Sequence, residues 1–334
     1  MNDKAMLHIH NGDSTAGTAR NANIPGEHLA WREALVCGPT PGGLSENEFR
    51  DVRAKHLAGS YGMELGKCEA DLLKQEQALA RFADHEEVVL WFEHDLFCQV
   101  HLIYLLNWFA QRELGKTKLS LVSIADFQGV EDFRGLGQLT GAQLASLFPQ
   151  RQEVKKAQLE LGVRSWKAYT SPNPRRLESF ISENPPALPF LSAAFIKHLQ
   201  RFPSVRNGLS RIEDLLLEII SAGRTAFKEL FLEFGKREGL YGFGDAQVLL
   251  TLERLASSRE PLLAISNDGG PPASDSDRTA KTTFQITGHG RAVLNGNDDF
   301  VRTSGIDLWL GGVHLHGDEA SWRWDDQRNG LVEV

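Results

Sequence analysis

Val88-Val89-Leu90-Trp91-Phe92-Glu93-His94-Asp95-Leu96-Phe97-Cys98-Gln99-Val100-His101 sets an apolar run directly against a charged triplet and a helical pattern. Five consecutive apolar residues bounded by charge read as a buried strand. Leu102, Leu105, Leu106 and Phe109 then recur at helical spacing. Leu119-Ser120-Leu121-Val122-Ser123-Ile124 supplies the next strand, so the order is strand, helix, strand. That order predicts a βαβ unit with parallel pairing. Ligands of open α/β sheets bind outside the carboxyl ends of the strands, which makes Glu93, His94 and Asp95 candidates for a site. Leu7-His8-Ile9-His10-Asn11-Gly12-Asp13-Ser14 repeats the pattern of strand, polar turn and helix near the start of the chain.

These two strand ends carry residue types that titrate or bind ions. His94 beside Asp95 and Glu93 suits acid–base work, because a neighbouring carboxylate orients an imidazole and raises its pKa. Asp95 also stands where an N-cap of the following helix would stand. Gly12 permits a tight turn, Asp13 or Ser14 is a candidate cap of the following helix, and that helix's free N–H groups would attract an anion, with Ser14 and Thr15 as hydroxyl donors. Arg53 is a candidate anion clamp, as are Arg32 and Arg50. His8 and His10 alternate with apolar neighbours and share one strand face. With His94 they form a candidate divalent-metal set of neutral imidazoles. His94, Cys98 and His101 share a helical face, although Cys98 and His101 read mainly as helix packing positions. Gly12-Asp13-Ser14 resembles the nucleophile block of the GDS-type esterases. No Asp-x-x-His surrounds His314 or His316 to activate the serine, and a serine without a base is a weak nucleophile.

The chain has 334 residues, of which 41% are hydrophobic and 24% charged, with a formal net charge of −8. That length allows more than one domain, and the acidic balance gives no electrostatic reason to expect nucleic acid. Cys37, Cys68 and Cys98 lie far apart without a CxxC pair, as in a reducing compartment. No signal-peptide core follows Met1, and no apolar run approaches the roughly 18 residues that span a bilayer. A cytoplasmic protein without membrane attachment is expected.

After about residue 150 helical patterns dominate, at 153–169, 174–182, 190–201, 210–221, 225–236 and 245–257. Two strands follow, 261–265 and 283–287, around a polar tip, Asn267 to Thr279, that includes Asp268, Asp275 and Asp277. Three helices and two strands in this order suggest a winged helix, and Thr287-x-x-Gly290-x-x-x-Leu294 resembles the close of many such units. The tip buries too little apolar area to offset its ordering entropy. A recognition helix should carry Arg, Lys, Asn or Gln outward, but residues 245–255 hold one Arg and two acids. A protein-contact role is the better expectation. Alternation in Ile306 to His316 and in Trp322-Arg323-Trp324-Asp325 predicts terminal strands, with Gly311 and Gly312 permitting close approach of another backbone or a ligand.

Several motifs together resemble a bacterial family known as domains of unknown function. They are His8-Ile9-His10-Asn11-Gly12-Asp13-Ser14, Trp91-Phe92-Glu93-His94-Asp95, Gly135-Leu136-Gly137-Gln138-Leu139, Asn207-Gly208-Leu209-Ser210-Arg211 and Trp309-Leu310-Gly311-Gly312-Val313-His314-Leu315. The resemblance runs through nearly the whole chain and implies no particular activity.

The expectation is therefore a Rossmann-like α/β domain with a short parallel sheet over 1–150, a helical connector over 151–208, and a winged-helix domain with a β tail over 209–334. The leading function is a hydrolase- or transferase-type enzyme. Its substrate would be small and anionic, a nucleotide or phosphate ester for example, bound at the strand ends with a divalent metal as one cofactor the residues allow. The competing readings are a ligand-sensing regulator and a non-catalytic scaffold.

Overall fold

The computed structural model describes residues 6–267 and 282–334. The chain packs as two compact units, Met1–Phe195 with Gly311–Val313, and Ile196–Leu310 with His314–Val334. Residues 151–195, read from sequence as connector, pack within the first unit.

The first unit is built on a five-stranded sheet. Its elements are β1 (Met6–His10), α1 (Asp13–Asn21), β2 (Glu27–Ala30), α2 (Glu46–Tyr61), α3 (Leu65–Ala80), β3 (Glu87–Trp91), α4 (Leu96–Ala110), β4 (Lys118–Val122), α5 (Gly141–Leu147), β5 (Gln152–Glu153), α6 (Lys156–Tyr169), α7 (Arg175–Glu183) and the first half of α8 (Leu191–Leu199), which the unit boundary divides after Phe195. The strand order is β2-β1-β3-β4-β5. The first four strands are parallel, with His10 opposite Trp91 and Trp91 opposite Val122, and β5 is antiparallel to β4. The sheet is thus mixed rather than wholly parallel, because a two-residue edge strand returns against β4.

β3 is apolar on both faces because both are covered. Val89 and Trp91 join Val122, Ala19, Leu136, Leu144 and Leu147 in one core cluster, while Val88 and Leu90 on the opposite face are equally buried. α4 begins at Asp95, whose carboxylate accepts the Cys98 N–H at 2.9 Å. Eleven of its 15 residues are buried, as a helix that is largely apolar on every side requires. Its closest neighbour is α6, admitted by Gly162: a Cβ there would overlap the Leu106 side chain. α2 opens with a capping box in which Ser45 Oγ accepts from Glu48 N and the Glu48 carboxylate accepts from Ser45 N, the reciprocal arrangement that the Ser-x-x-Glu spacing predicts.

In the second unit α9 (Arg211–Ser221), α10 (Phe227–Glu238) and α11 (Asp245–Ser257) precede the antiparallel pair β6 (Leu263–Asn267) and β7 (Thr282–Ile286). Ala226 bridges to Thr283. The polar tip between the strands, residues 268–281 with Asp268, Asp275 and Asp277, lies outside the described residues. Thr287 caps α12 (Gly288–Leu294) by accepting the Gly290 N–H. Residue 290 is a glycine because a Cβ would collide with the Leu262 carbonyl oxygen. α13 (Phe300–Ser304) leads to β8 (Ile306–Leu310), β9 (Val313–Gly317), β10 (Trp322–Asp325) and β11 (Gly330–Glu333). The β8–β9 turn, Gly311–Val313, belongs to the first unit, within which Gly311 and Gly312 lie against the Tyr169 and Thr170 carbonyls. The close approach expected at these glycines is that of backbone.

Gly162→Ala should lower the urea midpoint of the full chain. Helix propensity favours alanine by about 1 kcal/mol, but forcing a methyl into a packed helix crossing costs about 1–3 kcal/mol, so the net effect is a loss. An unchanged or raised midpoint would show that α4 and α6 yield at this point.

Candidate functional site

The polar centre of the first unit lies where β1 and β3 end and α4 begins. Glu93, Asp95 and Cys98 are all buried there, and among the described residues they form a group whose ligand atoms lie within 4.8 Å of one another. No arginine or lysine is ion-paired to either carboxylate among the described residues. Burial pushes the Glu93 carboxyl above its ordinary range. Burial, and then the charge of Glu93, pushes Asp95 up to about 7. Burial with the two carboxylates raises the Cys98 thiol well above its usual value. Two buried acids without a counter-cation are costly when both are ionised.

A directional chain of hydrogen bonds holds this group. His101 Nε2 accepts from Leu35 N at 3.4 Å, so its proton sits on Nδ1, which donates to Asn11 Oδ1 at 2.8 Å. Asn11 Nδ2 donates to Cys98 Sγ at 2.8 Å, and the thiol donates to Glu93 Oε2 at 2.8 Å. Glu93 Oε1 accepts the Leu136 N–H at 2.5 Å. Residue 135 lacks a Cβ for a reason: one placed there would sit 2.8 Å from Glu93 Oε1. Residue 137 faces Ser14, so the Gly135–Gly137 loop runs from Glu93 to the opening turn.

His94 is half-buried, with Phe133 stacked at 6.2 Å and Phe190 edge-on at 6.1 Å. Its Nδ1 is buried without a hydrogen-bond partner. Asp95 is the N-cap of α4 as well as a member of the acidic group. The opening turn departs from expectation in detail. Gly12, at φ 92°, is itself the N-cap, and neither Asp13 nor Ser14 caps α1. Asp13 is exposed and makes two 2.6 Å hydrogen bonds to Arg32, Ser14 is exposed, and Thr15 is buried.

Two sequence expectations fail on hydrogen bonding. The set His8, His10 and His94 is not brought together among the described residues. His8 has no free nitrogen, since Nδ1 accepts from Trp91 Nε1 and Nε2 donates to the Pro25 carbonyl. His10 Nε2 donates to Nδ1 of His28, whose own Nε2 donates to Ile24 O, while His10 Nδ1 is buried without a hydrogen-bond partner among the described residues. The three rings stack along β1 and β2, with centroids 4.7 Å apart for His8–His28 and 5.2 Å for His10–His28. Arg53 is not an anion clamp. It is buried, paired with Glu33 at 2.8 and 3.2 Å, and donates to the carbonyls of Ala34, Cys37 and Pro39. Arg50 is held by Glu76 and Asn47. His314 bonds Asp307 at 2.7 Å and stacks on Trp309.

Sequence reasoning missed Asn11, the Leu136 N–H and Gly135, and it undervalued Cys98 and His101. Asn11 sits in the opening motif, and glycines flank Leu136. Asn11 meets Cys98 and His101 across 87 and 90 positions, and Leu136 meets Glu93 across 43, so these pairings leave no local signal.

Arg53→Ala would strand the Glu33 carboxylate in the interior, and breaking a buried pair costs about 3–5 kcal/mol. Chemical denaturation should show a loss of that size; a loss under 1 kcal/mol would mean that Glu33 rehydrates freely. Burial, with His28 adding to it, lowers His8 to about 4, and burial lowers His10 to about 2. Both are neutral when folded and take up protons on unfolding below pH 6.5. Their contribution is complete above 6.5 and is lost as pH falls toward 4 and 2, at up to about 1.4 kcal/mol per pH unit for each ring. Asp95 runs oppositely, its contribution being present below the ordinary carboxylate value and lost as pH rises through 7. The urea midpoint should therefore fall between pH 6.5 and 4.5, and less steeply in His10→Leu. Equal slopes in both proteins would contradict the neutral buried ring.

Comparison with known protein families and with curated proteins finds no match.

Proposed function

We propose that the carboxyl edge of the sheet binds a divalent cation through Glu93, Asp95 and Cys98, and that the chain is an enzyme of the hydrolase or transferase type acting on a small anionic substrate there. The observation that carries this reading is the pair of buried carboxylates, with a thiol in ligand range and, among the described residues, no cationic side chain paired to them. Two oxygens and one sulfur suit zinc or iron(II), and three protein ligands leave a position open. When bound, such a cation would polarise a phosphoryl or carbonyl oxygen of the substrate.

The chain's own groups supply the rest. Asn11 and the Leu136 N–H orient the thiol and Glu93. His94 Nδ1 is buried without a hydrogen-bond partner among the described residues, and an uncommitted ring nitrogen is what a base or acid for a substrate proton requires. The exposed Arg32–Asp13 pair stands at the α1 N-terminus. An anionic substrate would compete there with Asp13 for the guanidinium and the free N–H groups, so Ser14 and Thr15 belong to the substrate side of this proposal.

We read the sheet as Rossmann-like and residues 209–294 as a winged helix serving protein contact. Its three helices, two antiparallel strands and the Ala226–Thr283 bridge support that reading. The single arginine of α11, Arg254, is paired with Glu213, which leaves this helix without a free cation for phosphate. No helix among the described residues is long and apolar enough to cross a membrane.

Metal analysis after incubation with zinc and dialysis should give one ion per chain, lost in Asp95→Asn and in Cys98→Ser with the fold retained by circular dichroism. The zinc-loaded chain should hydrolyse members of a panel of phosphate and carboxylate esters, with His94→Ala slower by about 10²–10⁴-fold. Failure to retain zinc, manganese or iron(II) would overturn the cation site. Turnover indifferent to His94 would overturn its assigned role.

A further inference from the structure

The first unit holds a second cleft, of about 570 Å³, at the other end of α4. Asn107 on its wall is 12 residues beyond Asp95, about 18 Å along the helix at 1.5 Å per residue. Small-molecule sites commonly measure about 300–1,000 Å³. One wall is aromatic: Phe49 and Tyr104 stack at 6.0 Å, and Trp166 meets them edge-on at 6.1 and 5.2 Å. The rim carries Lys167 and Arg176, both exposed. Among the described residues, the side chains of Asn107, Lys167 and Arg176 have no hydrogen-bond or ion-pair partner. The acid of the rim, Glu46, is already neutralised by Arg112 at 2.5 Å. Two unopposed cations therefore border the aromatic wall.

The cleft is also built rather than incidental. Gly42 N donates to the Thr170 carbonyl at 3.0 Å, and a Cβ at Gly42 would lie only 3.0 Å from Thr170 Oγ1. The loop is thereby strapped to the end of α6. It leads into the capped N-terminus of α2, where Glu46 and Glu48 of the first turn already complement the helix dipole, so the positive charge at the rim is that of Lys167 and Arg176.

We propose that this cleft binds a small anion carrying a planar ring, of the mononucleotide type. The ring would lie against Trp166 and its aromatic neighbours, which offer a stacking face that any base can use. The phosphate would meet Lys167 and Arg176, and the Asn107 amide would face a polar edge of the ring or sugar. The proposal is independent of the cation reading at the strand ends, since no residue is shared.

Adenosine 5′-monophosphate is the probe, titrated into the full-length chain with tryptophan fluorescence as readout and adenosine as the uncharged control. Saturable quenching is expected, with the nucleoside at least tenfold weaker. Lys167→Ala/Arg176→Ala should weaken the nucleotide at least tenfold without moving the melting curve, since both side chains are exposed. Asp95→Asn should leave the affinity unchanged. No quenching up to millimolar nucleotide would overturn the proposal. Equal affinity for adenosine, an affinity indifferent to the double variant, or a loss in Asp95→Asn would do the same.

Discussion

One line of hydrogen bonds determines how the first unit presents its chemistry: Leu35 to His101, His101 to Asn11, Asn11 to Cys98, Cys98 to Glu93, with Leu136 closing on Glu93. It joins the end of β1, the start of α4 and the loop after β4 through groups that are almost all buried. His101, Asn11 and Cys98 each accept from one neighbour and donate to the next, and Glu93 accepts from both Cys98 and Leu136, so the tautomer of His101 and the orientation of the Asn11 amide follow from one another. A neutral hydrogen bond adds only about 1 kcal/mol net, whereas an orphaned buried group costs about 1–3 kcal/mol. The chain of bonds therefore acts chiefly as a specification. A loop carrying a side chain at 135, or a residue other than asparagine at 11, would leave several buried atoms unsatisfied at once.

The same economy explains how this unit uses its histidines. His8, His10, His28 and His101 carry the residue type that suggests ligation or catalysis, yet burial keeps all four below the ordinary imidazole range. They are neutral packing and hydrogen-bonding groups. The acids are displaced in the opposite direction by the same desolvation. A neutral imidazole can share its two nitrogens between a donor and an acceptor in the interior, while a carboxylate needs either a proton or a cation. That asymmetry puts the ion-binding potential on Glu93 and Asp95.

Much of the architecture was legible in residues 88–124. The abrupt change from apolar run to charged triplet marks the end of β3, and Asp95 begins α4 because its carboxylate can accept the Cys98 N–H. The Ser45–Glu48 and Thr287–Gly290 pairs likewise act within three residues, so their spacing is enough to place α2 and α12. β2 was not legible: Glu27–Ala30 has little strand pattern of its own and is held by pairing with β1. The antiparallel β5 is two residues long and was equally invisible. Of the candidate site, Glu93, Asp95 and His94 could be placed at a strand end, whereas Arg53 could not be told from a surface cation.

Local chemistry, acting over one turn or one strand, was thus determined by the sequence alone: the parallel core strands, the caps at Ser45, Asp95 and Thr287, the helices of the second unit and the strand-end position of the charged triplet. Tertiary structure alone decided which polar groups face one another. Glu33 meets Arg53 across 20 residues, Asn11 meets Cys98 across 87, and Leu136 meets Glu93 across 43. Hydrogen bonds and ion pairs depend on distances of a few ångströms, and a sequence specifies such distances only between near neighbours. Burial, which sets the charge state of each group, emerges only when the whole core has closed.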